Sequence, residues 1–196
     1  MEREQELAII RRAYAKQILA QAQVDNSRLE QAFAEVHRED FLGPGPWVIP
    51  RWFGYVPTPS ADPVYLYIDS VVQVIAERHL NNGQPSGHAI WITSASIKAG
   101  EHIVHIGTGT GYYTAIMACL VGPSGKVTGI ELDASLAARV SQCARCQWRR
   151  HVSAVRCCRR HLYQRWRDPT GRFVAREIDR RRTLDFADDG KSGVHG

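Results

Sequence analysis

The sequence predicts an α/β fold, and three observations indicate that class. Two short apolar runs, residues 102–106 and 127–130, are typical of buried parallel strands. An apolar helical stretch, residues 113–120, lies between them. Three glycines at alternate positions, 107, 109 and 111, join the first strand to this helix. The order of strand, glycine turn, helix and strand predicts a Rossmann-like sheet with a ligand site at the N-terminus of the helix.

The N-terminal region is predicted to be helical. Apolar residues recur at three- and four-residue steps over residues 5–22, which favours an amphipathic helix. A second helix follows Ser27, which is predicted as its N-cap, with Glu30 as the capping-box partner. Residues 43–63 are rich in proline and aromatic residues and are predicted to be irregular. They form either a lid over the ligand site or an arm packed on the helices.

Two more helices are predicted before the first parallel strand, over residues 69–80 and 88–98, with a turn at 81–83 between them. The inward positions of the first are Val71, Val72, Ile75 and Ala76. After the second parallel strand, Asp133 is predicted to cap another helix. Beyond residue 140 only 152–155 and 173–175 resemble strands, so the C-terminal part of the sheet is expected to be incomplete.

Composition divides the chain near residue 140. Residues 1–140 carry 11 basic and 14 acidic side chains, whereas residues 141–196 carry 14 basic and 6 acidic ones. We therefore predict a helical region at 1–80, an α/β core at 81–140 and an Arg/Cys-rich, poorly ordered tail at 141–196. No apolar stretch approaches eighteen residues, and the N-terminus has no apolar signal region. A cytoplasmic monomer without a membrane partner is the expectation.

The tail admits three interpretations. Its cysteines and a histidine could bind zinc, although the adjacent Cys-Cys pair suits a tetrahedral ion poorly. This set is Cys143, Cys146, Cys157, Cys158 and His161. Thirteen arginines with Trp148, Tyr163 and Trp166 would suit a nucleic-acid arm, but no known module is present, and nucleic acid is not the expected partner. The favoured hypothesis is a shifted reading frame from about Ser141.

The spacing of the glycine turn narrows the class of ligand. Dinucleotide sites use G-x-G-x-x-G, with the third glycine inside the helix. Here the turn is G-x-G-x-G, and Tyr112 stands where that third glycine would be. A bulky side chain there argues against a pyrophosphate, so an NAD(P)-dependent oxidoreductase is only the alternative. Glu131, twenty positions beyond Gly111, is placed to hydrogen-bond a ribose diol.

A family resemblance accompanies these patterns. Residues 104–115, VHIGTGTGYYTA, and Gly-Gln-Pro at 83–85 resemble the protein-L-isoaspartate O-methyltransferase family. Residues 29–41 resemble its N-terminal helix, and the resemblance runs to about residue 140. It implies a class I methyltransferase sheet, S-adenosylmethionine as the cofactor, and isoaspartyl carboxylates in damaged peptides or proteins as the substrate. The implied role is protein repair.

The resemblance also implies the site residues. The cofactor-binding set is His105, Ile106, Gly107, Thr108, Gly109, Thr110, Gly111 and Glu131. Gln84 and Ser86 are the implied catalytic residues, because they border the methyl donor and the substrate together with Pro85. No metal is expected.

Two positions depart from the family pattern. The family has a hydroxyl residue just before Gln-Pro, and here that position is Gly83. Ser86 or Asn82 would then have to substitute; otherwise the chain is a non-catalytic remnant that at most binds the cofactor. His105 stands where many methyltransferases have a carboxylate. A neutral histidine there accepts a hydrogen bond but supplies no charge.

Overall fold

The computed structural model describes residues 2–142, 152–157, 163–167 and 173–177. The chain divides into two compact units, Met1–Cys157 and Cys158–Gly196. Within the described part of the second unit, two strands, Tyr163–Arg167 and Phe173–Glu177, pair antiparallel. The first unit holds the predicted ligand site. Of the proposed zinc ligands, Cys143, Cys146, Cys158 and His161 lie outside the described residues, and so does Trp148.

Two helices form the N-terminal region, α1 (Glu2–Ala22) and α2 (Ser27–Glu35), as predicted. The N-cap of α2 is Asn26, whose side-chain oxygen accepts a hydrogen bond from the Leu29 N–H at 3.0 Å. The prediction that Ser27 caps this helix is therefore wrong. Asparagine and serine cap equally well, and Asn26 holds the extended backbone that a cap requires, so the helix begins one residue earlier than its cap pattern suggested.

The proline-rich segment 43–63 contains a β-hairpin, β1 (Val48–Arg51) with β2 (Gly54–Pro57). The expectation of an irregular segment is wrong here. The hairpin has a small core of its own, in which Trp47 and Ile49 pack with Leu66 and Val72. Its tip carries Trp52 and Phe53, which are 92% and 96% exposed.

A second correction concerns residues 69–80, where a helix was expected. The segment instead forms a short antiparallel pair, β3 (Gln73–Ile75) with β4 (Leu80–Asn81), joined by a 3-10 turn at Ala76–Arg78. The apolar spacing suited a helix, but of its four inward positions only Val72 is buried. Asn82 holds Val72 from across the pair, since its side-chain oxygen accepts the Val72 N–H at 2.7 Å. Its own N–H donates to the Val72 carbonyl at 3.0 Å.

The next helix, α3 (Pro85–Ser94), begins and ends earlier than the predicted 88–98. Pro85 occupies its first turn, where the missing N–H costs nothing. Ser96, with a φ of 51°, lies just beyond its end.

The core of the first unit is the predicted α/β arrangement. Strands β5 (His102–Ile106), β6 (Lys126–Glu131) and β7 (Val152–Cys157) are parallel, in the order β5-β6-β7. Helix α4 (Tyr112–Val121) connects β5 to β6, and α5 (Ala134–Gln142) follows β6. Asp133 caps α5 as predicted, because its carboxylate accepts the N–H groups of Ser135 and Leu136. In the described residues this sheet has three strands, which agrees with the incomplete sheet that was expected.

A buried arginine connects the helical region to the segment before β3. Arg38 is fully buried, and its guanidinium donates to the carbonyls of Leu66, Ile68 and Ser70 at 2.5–3.0 Å. The same guanidinium lies 5.9 Å from the centre of the Tyr112 ring at the start of α4. These contacts hold residues 66–70 beside the 3-10 turn Arg38–Phe41 that follows α2, and near the start of α4. None of the described helices is long and apolar enough to cross a membrane.

Candidate functional site

A cleft opens where β5 ends and α4 begins. The empty space around it is about 540 Å³, which includes solvent at its open side. It is lined by Asn81, Asn82, Gly83, His88, His105, Gly107, Thr108, Gly109, Thr110, Tyr112 and Tyr113. Apart from the two histidines, these lining residues have no side chain that is charged near neutral pH. The cleft therefore favours a ligand recognised by hydrogen bonds and aromatic contacts rather than by salt bridges.

The glycine turn has the geometry that its sequence predicts. Gly107, Gly109 and Gly111 have φ angles of 77°, 55° and 95°, in the left-handed region that side chains rarely adopt. A side chain at Gly107 or Gly109 would meet no other group within 4 Å, so both positions face open space. Gly111 is the N-cap of α4, and the N–H groups of that helix's first turn begin just beyond it.

The hydroxyls of the turn lie between these glycines. Thr108 and Thr110 are both buried, with 5% and 4% of their surface exposed. The Thr108 hydroxyl oxygen has no hydrogen-bond partner in the part of the chain that the structure describes. A buried hydroxyl is normally paired, so an unpaired one lining a cleft is an observation that fits a polar ligand.

Glu131 connects the glycine turn to the end of β6. One of its carboxylate oxygens accepts the Gly109 N–H at 2.7 Å, and the other accepts the Asp133 N–H at 2.9 Å. The side chain is buried beside the turn and is not among the cleft-lining residues. A carboxylate has about four acceptor positions, so these two bonds leave capacity for a ligand hydroxyl.

The segment Gln84-Pro85-Ser86 is held by Asp69. One Asp69 oxygen accepts the Gln84 side-chain amide at 3.0 Å, and the other accepts the Ser86 N–H at 2.9 Å. Asp69 thus supplies the acceptor for the first turn of α3 from a distant part of the chain. Sequence reasoning missed this role because it placed Asp69 at the start of a helix.

Gly83 and His88 meet at the rim of the cleft. Gly83 has a φ of 77°, and a Cβ added there would lie 2.2 Å from the His88 ring. The His88 ring stacks on Tyr113 at 3.6 Å between ring centres and at 5° between planes. Its Nδ1 lies 3.0 Å from the Gln84 carbonyl oxygen. Burial lowers the pKa of His88, which keeps its ring neutral near pH 7.

His88, like Asn81 and Tyr113, is a cleft-lining residue that sequence reasoning did not identify. The available signal was its position four residues after Gln84 on a helix, which places its ring beside the Gln84 carbonyl. This spacing predicts that His88 lies beside Gln84, but it does not predict that His88 lines a ligand site.

His105 is also neutral. Its Nδ1 lies 2.8 Å from the Thr114 hydroxyl oxygen, on the first turn of α4. Burial, together with the proximity of His88, lowers the pKa of His105 to about 4. His105 therefore offers the cleft a hydrogen-bonding group without charge at pH 7.

The predicted site residues divide by position. Those that line the cleft are His105, Gly107, Thr108, Gly109 and Thr110. Gly111 caps α4, Ile106 is exposed at the end of β5, and Glu131 braces the turn. Gln84 and Ser86 lie at the start of α3 and are not among the residues that line the cleft.

The position of Tyr112 bears on the class of ligand. Its ring is 1% exposed and packs edge-to-face on Phe33 and Phe41. Here a dinucleotide site would have a glycine that permits close packing of helix and strand. A large ring in an aromatic cluster disfavours the NAD(P)-dependent alternative.

Comparison with protein families gives one match over most of the chain. The family model described as protein-L-isoaspartate(D-aspartate) O-methyltransferase matches residues 10–157. This range exceeds the resemblance seen in the sequence at both ends. It includes β7, which lies beyond the point where the charge pattern changes.

Curated relatives have the same description. A protein-L-isoaspartate O-methyltransferase from Ignicoccus hospitalis is 29% identical over 132 residues, which are 67% of this chain and 54% of the relative. One from Thermotoga maritima is 30% identical over 108 residues, or 54% of this chain and 29% of the relative. The chain thus spans about half or less of these relatives' length.

Two solved structures have a similar fold. A protein-L-isoaspartate O-methyltransferase superposes with a TM-score of 0.55 at 26% identity, covering 72% of this chain and 40% of the other. A Plasmodium falciparum protein assigned as a beta-aspartate methyltransferase was solved in complex with S-adenosyl-L-homocysteine. It superposes with a TM-score of 0.50 at 17% identity, covering 68% of this chain and 54% of its own, and shows likeness of fold alone.

Proposed function

Because this chain belongs to the protein-L-isoaspartate(D-aspartate) O-methyltransferase family, we propose that its cleft binds S-adenosylmethionine and methylates isoaspartyl carboxylates. The observation that carries the proposal is the glycine turn at the N-terminus of α4. All three glycines are left-handed, and Gly107 and Gly109 leave backbone next to open space, beside a buried hydroxyl of Thr108 that has no partner among the described residues. This arrangement suits a nucleoside-like ligand, and Tyr112 at the position of a third glycine argues against a pyrophosphate on it.

The residues proposed to hold the cofactor are those of β5, the glycine turn and β6. They are His105, Ile106, Gly107, Thr108, Gly109, Thr110, Gly111 and Glu131. When bound, the cofactor supplies a methyl group activated by a sulfonium. Glu131 offers the remaining acceptor capacity of its carboxylate to a ribose hydroxyl, and the Thr108 hydroxyl offers a hydrogen bond from the buried side of the turn.

The acceptor side is proposed to lie along the segment from Gly83 to Ser86. An isoaspartyl carboxylate is already a nucleophile, so transfer requires positioning and exclusion of water more than a strong base. Gln84 and Ser86 are the proposed catalytic residues, and Asp69 fixes both through its two carboxylate oxygens. Small movements of Asp69 would therefore displace both groups together.

The oligomeric state, the cellular location and the substrate are also proposals. We propose that the chain acts as a monomer in the cytoplasm, on isoaspartyl-containing peptides or proteins. Gel filtration with light scattering tests the monomer.

Calorimetric titration with S-adenosylhomocysteine, with circular dichroism on the same sample, tests the cofactor. We expect binding at micromolar concentration by a folded chain, and no binding of NADH. A folded chain that does not bind S-adenosylhomocysteine would contradict the proposal. Transfer of radiolabelled methyl to an isoaspartyl peptide, against the same peptide with ordinary aspartate, then tests the acceptor. Binding without transfer would overturn the isoaspartyl assignment alone.

A further inference from the structure

The rim of the cleft contains a pair of residues that share one volume. Gly83 has no side chain, and its backbone is fixed on both sides. Its N–H donates to the Asn81 side-chain oxygen at 2.9 Å, and its carbonyl accepts the Tyr113 hydroxyl at 3.0 Å. The space where its Cβ would lie is occupied by the His88 ring, 2.2 Å away at Cε1. A side chain at 83 and an imidazole at 88 therefore exclude each other.

The His88 ring is held in one orientation. It lies flat on Tyr113, and Trp91 meets it edge-on at 5.1 Å between ring centres. The Gln84 carbonyl can only accept, so Nδ1 carries the proton and donates to it across 3.0 Å. Nε2 then has a lone pair, and no hydrogen bond to it is found in the described part of the chain. A fixed ring with a free acceptor nitrogen in the lining of a cleft is suited to receive a donor from a ligand.

We infer that His88 binds and orients the methyl acceptor, accepting through Nε2 an N–H of the acceptor's peptide backbone. This inference rests on the proposed function, since it assigns one side of the same cleft to the acceptor. A peptide that contains isoaspartate presents backbone N–H donors next to its carboxylate. Neutral His88 accepts such a donor without forming a salt bridge to the carboxylate, which keeps the carboxylate free to react.

Two substitutions at position 88 test the hydrogen bond. His88→Phe keeps a flat ring on Tyr113 but removes both nitrogens. His88→Gln places an amide oxygen where it can replace the Nε2 acceptor. Calorimetry gives the affinity for S-adenosylhomocysteine, and a second titration of the saturated protein gives the affinity for the isoaspartyl peptide. We expect H88F to weaken peptide binding about tenfold, with less than threefold change for S-adenosylhomocysteine, and H88Q to restore part of the loss.

The outcomes separate the two claims. Equal peptide affinity for wild type and H88F, or an equal loss for both ligands, overturns the role of His88 while leaving the proposed function in place. A folded wild-type chain that binds no S-adenosylhomocysteine overturns the proposed function and the acceptor role with it.

A cycle of thermal unfolding tests the shared volume independently of any ligand. Gly83→Ser should lower the melting temperature by several degrees, because its Cβ meets the ring and its φ is positive. In the double variant Gly83→Ser/His88→Ala the imidazole is gone, so the part of the decrease in melting temperature that comes from the steric clash should disappear. Strict additivity of the two single changes would show that positions 83 and 88 do not compete for space, and would overturn the geometric basis of the inference.

Discussion

The Gly109 N–H donates to the Glu131 carboxylate across 2.7 Å, which connects the glycine turn to the end of β6. The second oxygen of Glu131 accepts the N–H of Asp133, so the same carboxylate also braces the start of α5. One side chain thus fixes two backbone segments that meet beside the cleft. The proposed ligand hydroxyl would bind the remaining acceptor positions of these same two oxygens, so binding and stability have to be measured side by side.

Glu131→Ala is expected to weaken S-adenosylhomocysteine binding at least tenfold and to destabilise the fold by about 1–2 kcal/mol, since it leaves two half-buried N–H groups unpaired. For Glu131→Gln, both the affinity and the free energy of unfolding should lie between those of the wild type and Glu131→Ala, because the amide keeps one acceptor oxygen. Calorimetry and urea unfolding measure the two effects. Glu101→Gln is the matched control, since Glu101 also accepts a backbone N–H, from Lys98, but is exposed before β5. A loss in E101Q as large as in E131Q would contradict the assignment.

Gly109→Ala is expected to reduce the free energy of S-adenosylhomocysteine binding by more than it reduces the free energy of unfolding. A left-handed φ costs an alanine about 1–2 kcal/mol, and the new methyl projects into the open space of the cleft. Gly87→Ala is the control, because Gly87 lies inside α3 with nothing near its Cβ position. That change should stabilise by about 0.5–1 kcal/mol. The pair is compared by thermal unfolding and by S-adenosylhomocysteine titration, and unchanged affinity in G109A would be the adverse result.

Acid is expected to destabilise the fold through His105. Its pKa is about 4 in the folded chain and about 6.5 when exposed, so below pH 6.5 the unfolded chain binds a proton that the folded chain does not. The contribution of His105 to the free energy of unfolding is fully present above pH 6.5 and decreases as the pH drops toward 4. Between pH 7.5 and 5 the loss should be about 1–2 kcal/mol. His88, whose pKa is also lowered, acts in the same direction.

His105→Asn isolates this effect, because its amide keeps a group near Nδ1 for the Thr114 hydroxyl but does not titrate. Urea unfolding of wild type and H105N at pH 7.5 and pH 5 is the measurement. The wild type should lose more stability on acidification than the variant. Parallel losses would indicate that other groups account for the acid sensitivity.

Arg38→Met is expected to destabilise the first unit by about 3 kcal/mol. The change keeps a long apolar side chain but leaves the carbonyls of Leu66, Ile68 and Ser70 without their shared donor. Arg3→Ala is the comparison, because Arg3 forms exposed ion pairs with Glu6 and Asp62. Exposed pairs contribute less than about 1 kcal/mol. Similar melting temperatures for the two variants would be inconsistent with a structural role for Arg38.

Local patterns in the sequence sufficed for the centre of the fold. The strand, glycine turn and helix from residues 102 to 121 depend on apolar runs and on glycine's freedom at positive φ, and both are properties of neighbouring residues. The Asp133 cap is equally local, since the N–H donors that its carboxylate accepts lie within three residues. Helices α1 and α2 and strand β6 were predicted correctly from local patterns of the same kind.

The missed features depend on distant contacts. Residues 71–76 have a helical spacing, but Asn82 binds the backbone of Val72 and turns the segment back on itself. Asp69 has a role only because the Ser86 N–H, seventeen residues away, donates to it. The His88 ring can lie at the rim of the cleft only because Gly83 has no side chain. The Asn26 cap was missed for a different reason, because two adjacent residues with equal capping ability cannot be ordered from sequence alone.

The backbone character of the glycine turn has an evolutionary consequence. Main-chain N–H groups are chemically the same in every residue, so the shape of the turn depends on the backbone angles at three glycines and on the Glu131 carboxylate that accepts the Gly109 N–H. Exposed side chains nearby can then drift while the turn keeps its shape. Loss of one of the three glycines, or of Glu131, would instead change the turn itself.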